Sequence, residues 1–161
     1  MSVQRAEVYQ HLDHILAEEN RLLSELEQLL QQETQSLQHD DLEAIQRIGS
    51  ARHGCVELLT RLDGERADSC RMLSFGTGGG ALQKLLQWAD PSAQLQRRWQ
   101  ANLELARRCK EHNDRNGAIV SVKLGRVQRL LGKLRGTVPA PVYGRKGNRD
   151  GGLGARDLGQ A

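Results

Sequence analysis

A single series of positions runs from Leu95 to Leu134 when residues are counted alternately by four and by three. Its members are Leu95, Trp99, Asn102, Ala106, Cys109, Asn113, Asn116, Val120, Lys123, Val127, Leu130 and Leu134. This spacing is typical of coiled coils, in which helices pack along an apolar seam. Asp90 and Pro91 form a helix start signal, because aspartate can cap free amides and proline fits the first helical position. The sequence therefore predicts one long amphipathic helix over about residues 91–135.

Two further amphipathic helices are predicted in the N-terminal half, over about residues 3–37 and 40–74. Leucine and isoleucine recur there at three- and four-residue spacing, while polar residues fill the opposite face. Asp40 stands three residues before Glu43, an arrangement in which Asp40 can accept a first-turn amide hydrogen bond. We therefore expect Asp40 to start the second helix.

The four predicted helices make one all-α domain over residues 1–135. A glycine run ends the second helix, and a short helix over residues 81–89 follows. We predict a long antiparallel helical hairpin or bundle with coiled-coil-like packing, in which the first and last helices form the main seam. The proline-, glycine- and arginine-rich residues 136–161 contain too few large apolar side chains to offset their ordering entropy, so we expect a flexible tail.

Charge is distributed unevenly along the chain, although the net charge is only +3. Residues 1–50 carry three Lys/Arg and ten Asp/Glu, whereas the remaining residues carry twenty and ten. A basic half is compatible with nucleic-acid binding, but only Trp99 and Tyr143 could stack on bases in the basic C-terminal region. Packing of oppositely charged helices would neutralise most of this charge internally. We favour that interpretation and predict no nucleic-acid partner.

No pattern in the sequence indicates catalysis, a metal or a cofactor. The glycine run at residues 76–80 lacks the preceding strand and following Gly-Lys-Ser/Thr of a phosphate-binding loop. His11 and His14 share a helix face without further ligands, and the three cysteines contain no CxxC pair. The polar N-terminus is unlike a secretory signal, and no stretch approaches membrane-spanning length. We therefore expect a non-enzymatic cytoplasmic protein that does not insert into membranes.

The seam of the last helix changes character along its length. Asparagines occupy seam positions 102, 113 and 116, where a polar group either makes a local wet spot or fixes register or partner choice. Both roles remain open from the spacing alone. Beyond Asn116 the helix carries many aliphatic residues, and the first helix ends too early to cover all of them. Exposed apolar stripes of this kind bind partner helices.

Four sequence elements follow one another in the last third of the chain: Arg98-Trp99-Gln100, Asn113-x-x-Asn116-Gly117, Leu131 with Leu134, and Tyr143-Gly144-x-x-Gly147. In order and spacing they resemble the FlgN-type flagellar export chaperones, and the Asn-x-x-Asn-Gly element is the most distinctive. The motifs cover about residues 95–147. Residues 1–74 are similar only in having two long helices rich in leucine and glutamine.

The resemblance implies a cytoplasmic chaperone that binds the hook-associated proteins FlgK and FlgL. Such a chaperone keeps its clients unassembled and delivers them to the flagellar type III export apparatus. The family's C-terminal helix and following segment hold the client's C-terminal helix, which implies a tail that binds the client. The candidate partner-binding residues are Asn113, Asn116, Val120, Val127, Leu130, Leu131, Leu134 and Tyr143. The alternative is a coiled-coil structural or adaptor protein that uses the same stripe for homodimerisation.

Overall fold

The computed structural model describes residues 2–136, which are helical over most of their length. α1 spans Ser2–Gln38, α2 spans Leu42–Met72, α3 spans Ala81–Ala89 and α4 spans Gln94–Arg135. These described residues contain no β-strand, and the predicted all-α fold class is confirmed. The chain divides into two compact units, one over residues 1–116 and one that begins at Gly117.

Two helix starts differ from the sequence prediction. Asp41, and not Asp40, caps α2, and its side chain accepts a hydrogen bond of 3.1 Å from the Ala44 amide. Asp40 instead takes a left-handed conformation (φ 54°) in the turn between α1 and α2, a conformation that aspartate tolerates better than most residues. Its neighbour is therefore the residue in position to cap the helix.

The start of α4 lies at Gln94, three residues after the predicted Pro91. Asp90 still binds the free amide of Leu95, at 2.9 Å, and also accepts from the amide and hydroxyl of Ser92. These hydrogen bonds, chiefly the one from the Ser92 hydroxyl, lower the pKa of Asp90. Pro91 to Ala93 form a turn that ends with Ala93 at φ 63°, which interrupts the helix that proline was expected to begin.

The long helices of the first unit run up, down and up. α1 and α2 form the predicted antiparallel hairpin, because Glu19 pairs with Arg66 whereas Glu33, further along α1, pairs with the earlier Arg52. In the first unit α4 packs against α1 as expected and runs parallel to it, since two chain reversals separate the two helices. α2 lies antiparallel to both, so the predicted antiparallel bundle is confirmed.

Leucine supplies most of the core, which consists of two apolar clusters. One lies where α3 packs against the other helices and contains Leu12, Leu16, Cys70, Ala81, Leu85, Leu86, Ala89 and Leu95. The other contains Leu22, Leu23, Leu26, Leu30, Cys55, Leu105 and Cys109. Polar side chains from three helices separate the two clusters and define the geometry of the seam.

Candidate functional site

Three seam residues of α4 bind the backbone of α1 at regular intervals. The side chains of Asn102, Cys109 and Asn116 donate to the carbonyl oxygens of Leu16, Leu23 and Leu30, at 2.9, 3.4 and 2.9 Å. Donors and acceptors each advance by one heptad, so the offset between the helices stays at 86 residues. All three donors are buried. This series fixes the parallel register of α1 and α4.

A polar layer lies between the two apolar clusters. Arg66 Nε donates to Glu19 Oε1 at 2.5 Å, and the Arg66 guanidinium stacks 4.4 Å from the centroid of Trp99. In the same layer Asn20 Nδ2 donates to Asn102 Oδ1 at 3.0 Å. The layer thus joins all three long helices. Its contacts fix how far each helix is shifted along its axis relative to the others.

Glu19 is the most deeply buried carboxylate of this layer, with 3 % of its surface exposed. Burial raises its pKa above the ordinary value of 4.5, although the charge and hydrogen bond of Arg66 act in the opposite direction. Its second oxygen, Oε2, is buried and has no hydrogen-bond partner in the described part of the chain. Arg66 therefore carries most of the compensation for burying this charge.

A second polar layer lies at the other end of the apolar cluster that contains Leu22 and Leu30. Asn116 Nδ2 donates to Glu33 Oε1 at 2.9 Å, and the Thr34 hydroxyl donates to Asn116 Oδ1 at 2.6 Å. Arg52 Nη2 lies 3.2 Å from Glu33 Oε2. Its other terminal nitrogen donates to Asn113 at 3.4 Å. The second layer uses the same combination of an acid, an arginine and a seam asparagine as the first.

The two layers are copies of each other at a spacing of fourteen residues, which is two heptads. The equivalent pairs are Leu16 and Leu30, Glu19 and Glu33, Asn20 and Thr34, Arg52 and Arg66, and Asn102 and Asn116. Sequence reasoning identified the asparagines but missed the acids and arginines. Their common spacing was a visible signal, and its meaning depended on knowing that α2 runs opposite to α1 and α4.

The seam beyond Asn116 is exposed. Val120, Val127, Leu130 and Leu134 expose 40, 52, 56 and 83 % of their surface, and the neighbouring Leu131 exposes 44 %. Upstream on the same seam, Leu95 is fully buried. We name the exposed segment, residues 117–135, the C-terminal stripe. It contains the large aliphatic side chains of a packed seam without their burial.

The two candidate asparagines have different surroundings. Asn113 is exposed and accepts its hydrogen bond from Arg52. Asn116 is 2 % exposed, and both its amide oxygen and its amide nitrogen bond to α1. It therefore fixes the register of α1 and α4 and is not available to contact a partner. Tyr143 and the rest of the predicted tail lie outside the described residues, apart from Gly136.

Cations flank the C-terminal stripe, and sequence reasoning did not include them among the site residues. Residues 117–136 contain five Lys/Arg and no Asp/Glu. Arg126 and Arg129 are exposed, and neither forms an ion pair with any residue that the structure describes. The stripe is therefore both apolar and basic.

The described residues contain no group of three or more His, Cys, Asp or Glu that could hold a metal ion. Cys55, Cys70 and Cys109 are buried free thiols whose burial raises their pKa, to about 11 for Cys109. Within the same range, no helix is long and apolar enough to cross a membrane.

Comparison with known families agrees with this geometry. The model of one family, described as FlgN protein, matches residues 1–151. Among curated proteins and solved structures nothing matches the chain significantly. Members of the FlgN family are non-enzymatic chaperones that act in the cytoplasm on hook-associated proteins during flagellar export. Because the match covers nearly the whole chain, the protein belongs to the FlgN family of flagellar export chaperones.

Proposed function

We propose that this chaperone binds the hook-filament junction proteins FlgK and FlgL through its C-terminal stripe and the segment that contains Tyr143. The observation that supports this proposal is the exposure of the seam beyond Asn116. Aliphatic side chains at heptad spacing can pack against one amphipathic helix of a client. The proposed contacts are Val120, Val127, Leu130, Leu131, Leu134 and Tyr143, with Asn113 at the upstream edge of the surface.

The register bonds of the first unit support the assignment of the open surface to a partner. The last bond of this series runs from Asn116 to Leu30, at the end of the first unit. Val127, Leu130 and Leu134 continue the heptad spacing beyond it, and their side chains are exposed. In this proposal a client helix supplies the missing seam.

Binding of this kind would keep the client unassembled. In this proposal the client assembles through the same amphipathic helix, and a chaperone that covers this helix removes the surface that polymerises. The covered state is favoured by mass action as long as chaperone is present at concentrations above the dissociation constant. Delivery to the flagellar type III export apparatus then releases the client into the assembly pathway.

Replacement of Leu130 and Leu134 by aspartate tests the surface directly. We expect L130D/L134D to weaken binding of purified FlgK by about 100-fold or more, because buried aliphatic anchors dominate helix-in-groove affinity. The measurement is co-elution on size-exclusion chromatography at micromolar concentration. The matched control is L58D/L103D, since Leu58 and Leu103 expose 40 and 42 % of their surface outside the stripe.

Circular dichroism of both variants separates a loss of binding from a loss of folding. Retention of full client binding by a folded L130D/L134D variant would contradict the proposed surface. If the unmodified chain also failed to bind FlgK and FlgL and formed a stable homodimer instead, the adaptor alternative would be favoured.

Removal of residues 136–161 tests the contribution of the tail. We expect the truncated chain to keep nearly all of its helicity, because α4 ends at Arg135, and to bind FlgK more weakly. Isothermal titration of full-length and truncated chains measures the difference. Unchanged affinity would exclude Tyr143 and its neighbours from the binding surface.

A further inference from the structure

The cations of the C-terminal stripe repeat an arrangement that is already paired in the first unit. Arg98 Nη1 donates to Asp13 at 2.5 Å, and Arg108 Nε donates to Glu27 at 2.8 Å. Both acids belong to α1, and both arginines flank the seam that packs against α1. Two cations beside the seam of α4 therefore pair with carboxylates of α1, whereas Arg115, one heptad after Arg108, pairs with Glu111 of α4 itself at 3.8 Å.

Arg126 and Arg129 stand at the same heptad positions as these two arginines. Arg126 follows Arg98 by four heptads, and Arg129 follows Arg108 by three. Their surroundings differ, because neither Arg126 nor Arg129 forms an ion pair with any residue that the structure describes. The stripe repeats the apolar seam and its cationic flanks, but these two arginines lack the acidic partners of Arg98 and Arg108.

A second copy of the same stripe would be a poor occupant. Packing two such surfaces together would bring five cations of one chain against five of the other with no acid in either segment. Like charges across an interface disfavour association. The charge pattern thus selects against self-association and in favour of an anionic partner.

Nucleic acid matches the charge but not the rest of the surface. Residues 117–136 contain no aromatic side chain to stack on bases. The cations alternate with exposed valines and leucines, which a phosphate backbone would leave in water. An amphipathic helix satisfies both parts of the surface at once.

We propose that the C-terminal stripe takes an acidic amphipathic helix of the client, built like α1, with carboxylates that pair with Arg126 and Arg129 as Asp13 and Glu27 pair with Arg98 and Arg108. This inference rests on the proposed function and adds the chemical class of the bound helix. α1 is the internal template: aliphatic residues at heptad spacing form one face, and carboxylates border it.

The first test reverses the charge of the two arginines in the full chain. We expect R126E/R129E to bind FlgK about tenfold more weakly than the unmodified chain at 0.1 M salt, because two attractive pairs become repulsive. The difference should shrink as salt is raised, since salt screens exposed charges. The matched control, R61E/R97E, makes the same charge change at exposed arginines outside the stripe and should bind within about twofold of the unmodified chain.

The second test uses a synthetic peptide of residues 8–34 as an acidic probe, with a version in which every Asp and Glu is replaced by Lys. Fluorescence anisotropy should show the acidic peptide binding to the unmodified chain better than to R126E/R129E. The basic peptide should show the reverse preference. The acidic peptide could also bind by displacing α1 from the first unit, but that binding would not change in R126E/R129E. A reversal of preference between the two peptides therefore identifies the stripe as their binding site.

The outcomes distinguish this inference from the function on which it rests. Equal FlgK affinity for R126E/R129E and the unmodified chain, with binding lost in L130D/L134D, would overturn the acidic helix and leave the client surface intact. Absence of FlgK binding by the unmodified chain would overturn the proposed function itself. A homodimer seen by sedimentation and broken by R126E/R129E, or RNA binding lost in that variant while FlgK binding persists, would also overturn the inference.

Discussion

The two stretches of α4 on either side of Asn116 share one heptad spacing but have opposite surroundings. Between Leu95 and Asn116 most of the seam is buried or half-buried, Asn102 and Asn116 bind α1, and Arg98 and Arg108 have acidic partners. Beyond Gly117 the seam is exposed, and Arg126 and Arg129 have no such partners among the described residues. A heptad pattern therefore specifies a helix that can pack, but it does not by itself decide whether the seam is covered.

The largest expected effect is on the free energy of unfolding, and it comes from the charge buried in the first unit beside α4. Replacement of Arg66 by leucine leaves Glu19 buried without its counter-ion, which should lower the free energy of unfolding by about 3 kcal/mol at neutral pH. Adding E19L should recover most of this loss, because two apolar residues fit where an ion pair stood. Urea denaturation of both variants measures the effect, and failure of the double variant to recover would contradict the role given to the pair.

The same variant gives a pH dependence whose sign follows from Glu19. Its folded-state pKa is raised by burial, and R66L removes the cause that lowers it, so the folded state holds the proton more tightly than the unfolded state. The stability that this bound proton contributes to R66L is present in full below the unfolded-state pKa of about 4.5. It is lost as the pH rises through the higher folded-state pKa. The penalty of R66L should be smaller at pH 5 than at pH 8. R52L is the control, and should cost only about 1 kcal/mol because the Arg52 side chain is 37 % exposed.

A smaller effect tests whether the two stretches unfold together. Gly54 in α2 and Gly117 in α4 each have free space where a Cβ would be added. G54A should raise the free energy of unfolding of the bundle by about 0.5–1 kcal/mol, because alanine favours helix over glycine. G117A should raise helicity while changing unfolding of the first unit by less than about 0.3 kcal/mol, since the units divide at that residue. Equal shifts in urea denaturation would show one cooperative unit.

The smallest effect on stability is expected from a cysteine used as a probe of exposure. S121C places a thiol on the exposed stripe, whereas burial raises the pKa of Cys109 to about 11 and the thiol binds the Leu23 carbonyl. At pH 8 the thiol at position 121 should react with a disulfide reagent at least about 100-fold faster than the three native thiols. Equal rates would contradict the contrast between the paired and exposed stretches.

Heptad spacing accounts for much of what could be predicted about the fold. The helices observed in the structure begin and end within three residues of the predicted bounds. The differences lie at Asp41 and Gln94, where a left-handed residue in the preceding turn decides which group can cap the helix. Such turns depend on how the flanking helices pack, so sequence patterns define helix ends less well than helix interiors.

The candidate surface was predictable as a row of aliphatic residues, but its exposure and its charge were not. Val120, Val127, Leu130 and Leu134 stand out by spacing, yet nothing in that spacing distinguishes them from the buried leucines upstream. Their client-binding role remains a prediction. Arg126 and Arg129 acquire meaning only when Arg98 and Arg108 are seen to pair with Asp13 and Glu27.

The sequence by itself determined the helices, the heptad seam and, through its motifs, the chaperone family. Those properties are carried by residues close together in the chain, because helix formation and helix-face patterning are local. Tertiary structure alone decided that α1 and α4 run parallel, that Glu19 and Arg66 share a layer, and that Asn116 is buried while Leu134 is exposed. These features depend on pairing residues more than forty positions apart, and only packing brings such residues into contact.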